Sequence, residues 1–174
     1  MVLELAKANA ELNDLQHKIV FRKGDIKKAS FLLGKGSYSL VVSNPPYAQV
    51  GSGRVSESPE KAAARTEIHC SLEDVVREGA ALLNSGGRLA LVHRPARLAE
   101  IMQLMFKYGI TPKRLRLIYP LADKEPNIVL AEGQKYANLG LSVMPPLVVY
   151  KEKQVYTKEM LAIFQGRCLK SVIK

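Results

Sequence analysis

Asn44-Pro45-Pro46-Tyr47 directly follow the apolar run Tyr38-Ser39-Leu40-Val41-Val42-Ser43, and these four residue types in this order can handle an amino group. Proline fixes φ, lacks an N–H and disfavours helix at the residue before it, so two in succession make a stiff turn. In such a turn the Asn44 carboxamide and the neighbouring backbone carbonyls are held in one orientation. They can accept hydrogen bonds from an amino group and aim its lone pair for an in-line reaction. Tyr47 adds a flat face on which a planar base can stack. Asn and Pro also make ordinary turns with no chemistry attached. Their position at the end of a buried-type strand, where open α/β sheets place their ligands, favours the site.

The elements that must hold this turn read as alternating helices and strands, the pattern of a layered α/β domain. Met1 to Asp14 predicts a helix with Val2, Leu5, Ala6 and Leu12 on one face. A strand is expected at Lys18 to Arg22, then the loop Gly34-Lys35-Gly36, then the strand Ser37 to Ser43. Ile68, Leu72, Val75, Val76 and Leu83 recur at helical spacing, with Asn84-Ser85-Gly86-Gly87 as the stop before a strand at Arg88 to His93. Leu98, Ile101, Met102 and Met105 predict another helix ending near Gly109. Strands at Arg114 to Tyr119 and Asn127 to Glu132 are expected to form a hairpin at the far sheet edge.

The net charge is +10, and its distribution matters more than its size. Between Arg88 and Arg116 there are seven Lys or Arg residues and one acid, Glu100. Arg22, Lys23, Lys27, Lys28 and Lys35 form a second basic stretch around Asp25. Such clusters displace counterions from phosphates, and next to a base-handling turn they point to RNA. Arg94, Arg97, Lys113 and Arg114 are the candidate contacts.

A strand followed by Asn-Pro-Pro-Tyr resembles the corresponding motif of class I S-adenosylmethionine-dependent methyltransferases that act on exocyclic or amide nitrogens. Ser43 to Gly53, Ala64 to Leu72, Val92 to Ile101, Pro145 to Tyr150 and Tyr156-Thr157 together resemble the small-domain tRNA (adenine-N6)-methyltransferases, which modify the adenosine 3′ of the anticodon in a valine tRNA. The resemblance runs from about the first residue to Thr157. It implies a Rossmann-like three-layer α/β/α fold with S-adenosylmethionine as cofactor and tRNA as partner. It makes Asn44, Pro45, Pro46 and Tyr47 the catalytic residues, with Asn44 also at the cofactor. Asp25, after the first expected strand, would bind the adenine amino group of S-adenosylmethionine; Gly-Asp is also an ordinary turn. Arg65 and Glu67 match the family too, as a salt bridge, a helix start or an RNA contact. The same tetrapeptide serves enzymes that methylate a glutamine amide of release factors or DNA adenine, and a non-catalytic RNA-binding remnant is the alternative of another class.

That family carries a glycine-rich turn after its first strand and an acidic residue after its second, and neither is found here. Gly34-Lys35-Gly36 precedes a strand. The expectation is a methyltransferase domain at residues 1–157, incomplete at its N-terminus with the first two strands missing and binding cofactor poorly, then a basic amphipathic tail at 158–174. A chain of 174 residues can bury a sizeable core, and no linker or repeat divides it. Cys70 and Cys168 lack metal spacing, as do His17, His69 and His93, each of which reads as structural or surface. With no apolar run of membrane-crossing length and no signal pattern, a cytoplasmic monomer without metal is expected.

Overall fold

Strand β1 (Tyr38–Ser43) lies parallel to β2 (Leu83–His93), with Val41 opposite Leu89 and Ser43 opposite Leu91. The computed structural model describes residues 2–45, 47 and 70–166. Along the chain come α1 (Val2–Leu12), a short 3-10 turn (Ile26–Lys28), α2 (Ala29–Leu33), β1, α3 (Leu72–Leu82) and β2. A second 3-10 turn (Pro95–Arg97) leads into α4 (Leu98–Lys107), β3 (Ile110–Tyr119) and β4 (Ile128–Lys135). Short strands β5 (Ser142–Val143), β6 (Leu147–Val148), β7 (Tyr150–Glu152) and β8 (Val155–Tyr156) precede α5 (Lys158–Phe164). The main sheet runs β1-β2-β4-β3-β5, with β6 also on β3, and it is mixed: β4 is antiparallel to both β2 and β3. The expected far-edge hairpin is thus present.

Alternation along the strands sorts two faces. Leu89, Leu91 and His93 of β2, Val129 and Ala131 of β4 and Leu115 of β3 are buried and pack with Val75 and Val76 of α3 and Ile101 and Met105 of α4. Gly79 makes the close approach of α3 to the sheet possible, since a Cβ there would sit 2.9 Å from Leu89 Cδ1 and 3.6 Å from Val41 Cγ1. The opposite face carries Leu40, Val42, Ala90, Val92 and Leu130 with Arg114, Arg116 and Glu132. Val42 remains 65% exposed there. Helix α5 meets this side through Arg116, whose guanidinium donates to Glu159 at 2.6 Å and to the Pro145 carbonyl at 2.9 Å. The start of the expected tail is therefore docked.

Helix α3 begins at Leu72 behind a capping box that the hydrophobic spacing does not reveal: the Ser71 hydroxyl accepts from Asp74 N and the Asp74 carboxylate accepts from Ser71 N. Ile68 lies outside the described residues. The helix does not stop at the glycines. Lys135 Nζ donates to the carbonyls of Ala80 and Leu83, both at 2.7 Å, and Gly36 N donates to Ala81 O, so the last turn is satisfied without a glycine cap. Asn84 to Gly87 instead belong to β2. Tyr38 pairs with Leu83 but Leu40 with Arg88, so this segment bulges from the ladder, with Gly86 at φ 77°.

Two other expectations are corrected. Lys18 to Arg22 form no strand, and Val20 is 77% exposed: among the described residues no neighbour offers this segment a ladder. Helix α1 forms, but Val2, Leu5 and Leu12 face outward and Ala10 is its buried residue. Gly34 and Gly36, at φ 89° and 66°, form a loop before β1 as expected.

Helix α2 is held to α3 by one buried carboxylate, Glu78, which accepts from Ser30 N at 2.9 Å. Burial pushes the Glu78 pKa up, but hydrogen bonds from Ser30 and Arg77 more than offset this and hold it below the usual 4.5. A depressed folded-state pKa stabilises the fold above the unfolded value, and that stability is lost as pH falls through the folded one. Urea midpoints taken from about pH 6 to about pH 3.5 should therefore fall, and Glu78→Gln should make the fall shallower. Equal slopes in the two proteins would contradict the assignment.

Candidate functional site

The parallel pairing of β1 and β2 brings their C-terminal ends level, so Asn44 and Tyr47 emerge beside His93 and Arg94. Pro45 is buried and anchors the turn, while Asn44 is exposed at its tip. Pro46 lies outside the described residues, as do Arg65 and Glu67. The Tyr47 hydroxyl donates to Asn44 Oδ1 at 2.5 Å. That bond turns the oxygen end of the carboxamide towards the ring and uses one of its two lone pairs, leaving a second acceptor direction.

His93 is fully buried, and its ring meets that of Tyr47 edge-on, with centroids 5.2 Å apart and planes at 61°. Its Nδ1 accepts the backbone N–H of Arg94 at 2.8 Å. The Arg94 guanidinium carbon lies over the Tyr47 ring, 5.5 Å from its centroid. Four residues from two neighbouring strand ends thus form one cluster of amide, phenol, imidazole and guanidinium. Position along the chain gave no hint of His93, since Tyr47 and His93 are joined only by strand pairing.

The other candidate cations sit differently. Arg97 makes a two-pronged pair with Glu100, at 2.7 and 2.6 Å, which holds the Glu100 carboxyl below its usual pKa. Arg114 donates to Glu132 at 3.1 Å, and Lys113 to the Asn138 carbonyl at 3.4 Å. Through β4, Arg114 is level with Ala90 and Leu117 with His93, so Arg114 stands three residues, about 10 Å, below the cluster. Arg94 is the candidate that the fold brings to Tyr47. Arg116, outside the expected contacts, ties β3 to α5.

Asp25 caps the first 3-10 turn, its Oδ1 accepting from Lys27 N at 3.0 Å. It borders a hollow of about 310 Å³ lined also by Arg22, Gly24, Ile26, Leu32 and Leu33. The hollow thus combines apolar walls, the cationic Arg22 and Lys23 and one carboxylate that can accept from an amino group. Among the described residues no three His, Cys, Asp or Glu side chains gather as metal ligands, and no helix is long and apolar enough to cross a membrane.

No family profile matches the chain. It is similar to the tRNA1(Val) (adenine(37)-N6)-methyltransferase of Porphyromonas gingivalis, with 33% identity over 131 residues, 74% of this chain and 51% of that protein. The enzyme of the same name from Parabacteroides distasonis is 28% identical over 140 residues, 76% of this chain and 55% of its own length. The chain thus spans about half the length of the curated relatives it matches. Among solved structures, a predicted O-methyltransferase of Agrobacterium tumefaciens superposes with a TM-score of 0.73 at 23% identity, covering 95% of this chain and 73% of its own. The fold is that of Rossmann-like class I methyltransferases.

Tyr47→Phe removes the hydroxyl while keeping the ring against His93 and Arg94. Because Asn44 is exposed and water can replace the bond, thermal unfolding should show a stability change within about 0.5 kcal/mol. A loss of about 2 kcal/mol or more would mean that the hydroxyl supports the fold itself.

Proposed function

We propose that this chain, which belongs to the family of the tRNA1(Val) (adenine(37)-N6)-methyltransferases, transfers a methyl group from S-adenosylmethionine to N6 of an adenosine in tRNA. The observation that carries the reading is the Asn44 carboxamide at the end of a parallel strand, its oxygen already aimed by the Tyr47 hydroxyl. The likeness to the two curated enzymes supports the substrate, and the basic stretch around Arg94 supports a polyanionic partner.

A target adenosine drawn out of its stack would lie against Tyr47. Asn44 Oδ1, through its second lone pair, and the Pro45 carbonyl would accept the two N6 hydrogens and turn the nitrogen lone pair out of the base plane. S-adenosylmethionine, when bound, supplies an electrophilic sulfonium methyl. Methyl transfer to N6 would leave a surplus proton on the nitrogen, which would pass to water. The motif therefore needs no strong base. Asp25 would accept from the cofactor's adenine amino group, with Ile26, Leu32 and Leu33 as apolar walls, and Asn44 would border the methyl donor. Arg94 would reach the RNA backbone, with Arg97, Lys113 and Arg114 adding to a wider basic surface.

The test is methyl labelling with total tRNA, release factor and duplex DNA offered separately, followed by digestion of the labelled product to nucleosides. The expected label is N6-methyladenosine from tRNA. Asn44→Ala should lower its rate by about 10²- to 10³-fold, by analogy with losing one aimed hydrogen-bonding group from a transition state. Label in protein alone would overturn the tRNA reading, and RNA binding without any label would favour a binding role.

A further inference from the structure

We propose that His93 is a positioning residue for Tyr47, forming with Arg94 a two-residue clamp that sets the plane of the base-stacking ring. The consequence for catalysis rests on the proposed reaction; the clamp itself rests on geometry alone.

Tyr47 follows two prolines in the sequence, which restrict the path of the backbone but not the torsion of its ring. A phenol on an exposed turn samples several rotamers unless neighbours select one. Among the described residues three neighbours select it. The hydroxyl is tied to Asn44, the ring edge meets His93, and the Arg94 guanidinium lies over the ring. Edge-on aromatic pairs and cation contacts of this kind are directional, so together they define a plane and not merely a location.

His93 is suited to the part because it is itself immobile. It is wholly buried at the end of the core face, in line with Leu89 and Leu91. Its Nδ1 accepts the N–H of Arg94 at 2.8 Å, which fixes that edge of the ring. One peptide unit thus serves twice: the Arg94 backbone orients His93, and the Arg94 side chain covers the ring that His93 orients. In the proposed reaction a base stacked on Tyr47 inherits this plane, which decides whether its N6 meets Asn44 Oδ1. A tilt of the ring displaces the amino group without removing any group that touches it. Loss of the clamp should therefore act on turnover more than on capture of RNA.

The experiment compares His93→Gln with His93→Phe. The first offers Arg94 N a substitute acceptor but no ring; the second restores a ring but no acceptor. Circular dichroism first establishes that each variant is folded. With carbon-13-labelled tyrosine, the Tyr47 ring signals of the unliganded protein should shift and average in His93→Gln and return towards the original in His93→Phe. In methyl transfer to tRNA, His93→Gln should lower kcat by about three- to tenfold, the range of one directional aromatic contact, with KM for tRNA little changed and partial rescue in His93→Phe. Unaltered Tyr47 signals in a folded His93→Gln protein would overturn the clamp. Should the original protein transfer no methyl group, the proposed reaction fails while the ring signals still decide the clamp.

Discussion

The pairing of β1 with β2 is the constraint on which the rest depends. Parallel strands have level C-terminal ends, and the hydrogen bonds that set Ser43 against Leu91 also determine that Asn44 and Tyr47 leave the sheet beside His93 and Arg94. A one-residue slip of β1 would turn Val41 from the core face to the open one, and a slip of β2 would turn Leu89 and carry His93 out of the interior. The apolar alternation that buries Leu89, Leu91 and His93 thus also fixes the chemistry at the strand ends. Packing and site share one register, and neither can change alone.

Helix α3 secures that register from one side. Gly79 lets it lie close over Val41 and Leu89, and Glu78 reaches outward to hold α2, while Lys135 of β4 binds the carbonyls of its final turn. The hollow bordered by Asp25 and Leu32 is joined through α2 to the same helix that packs on Val41 of β1. The Glu78 and Lys135 links are polar groups satisfied in a buried or half-buried setting, where leaving one unmet would cost about 1–3 kcal/mol. The opposite face of the sheet is different in character. Leu40 and Val42 are exposed there beside the paired Arg114 and Glu132, so the stiffness of the site comes from the α3 and α4 side.

What could be read from the sequence follows from how local each signal is. The Asn-Pro-Pro-Tyr turn declares itself because proline restricts its own neighbours, and the β3–β4 hairpin and α4 declare themselves because apolar spacing and Gly109 act within a few residues. The same local logic failed for Lys18 to Arg22, since a strand exists only where another chain segment offers hydrogen bonds. It misplaced the inward face of α1 because a helix with weakly segregated apolar residues can bury more than one side. At Asn84 to Gly87, glycines suggested a helix stop, whereas distant Lys135 and Gly36 had already met the helix end. His93 was passed over because a lone histidine on an apolar strand looks like core; only the register shows which ring it touches. The Arg97–Glu100 pair had a visible three-residue spacing, but Arg114–Glu132 arises from strands far apart in sequence.

In the proposed reaction the Asn44 and Tyr47 turn is where an adenosine is handled. The most direct test follows the Asn44 side-chain amide and the Tyr47 ring by nuclear magnetic resonance while an RNA hairpin with an unpaired adenosine is added. Both signals should move together and saturate with the adenosine hairpin, and replacing that adenosine by uridine should abolish the movement while weaker basic contacts persist. Saturable RNA binding that leaves Asn44 and Tyr47 undisturbed, or that disturbs them equally with uridine, would contradict it.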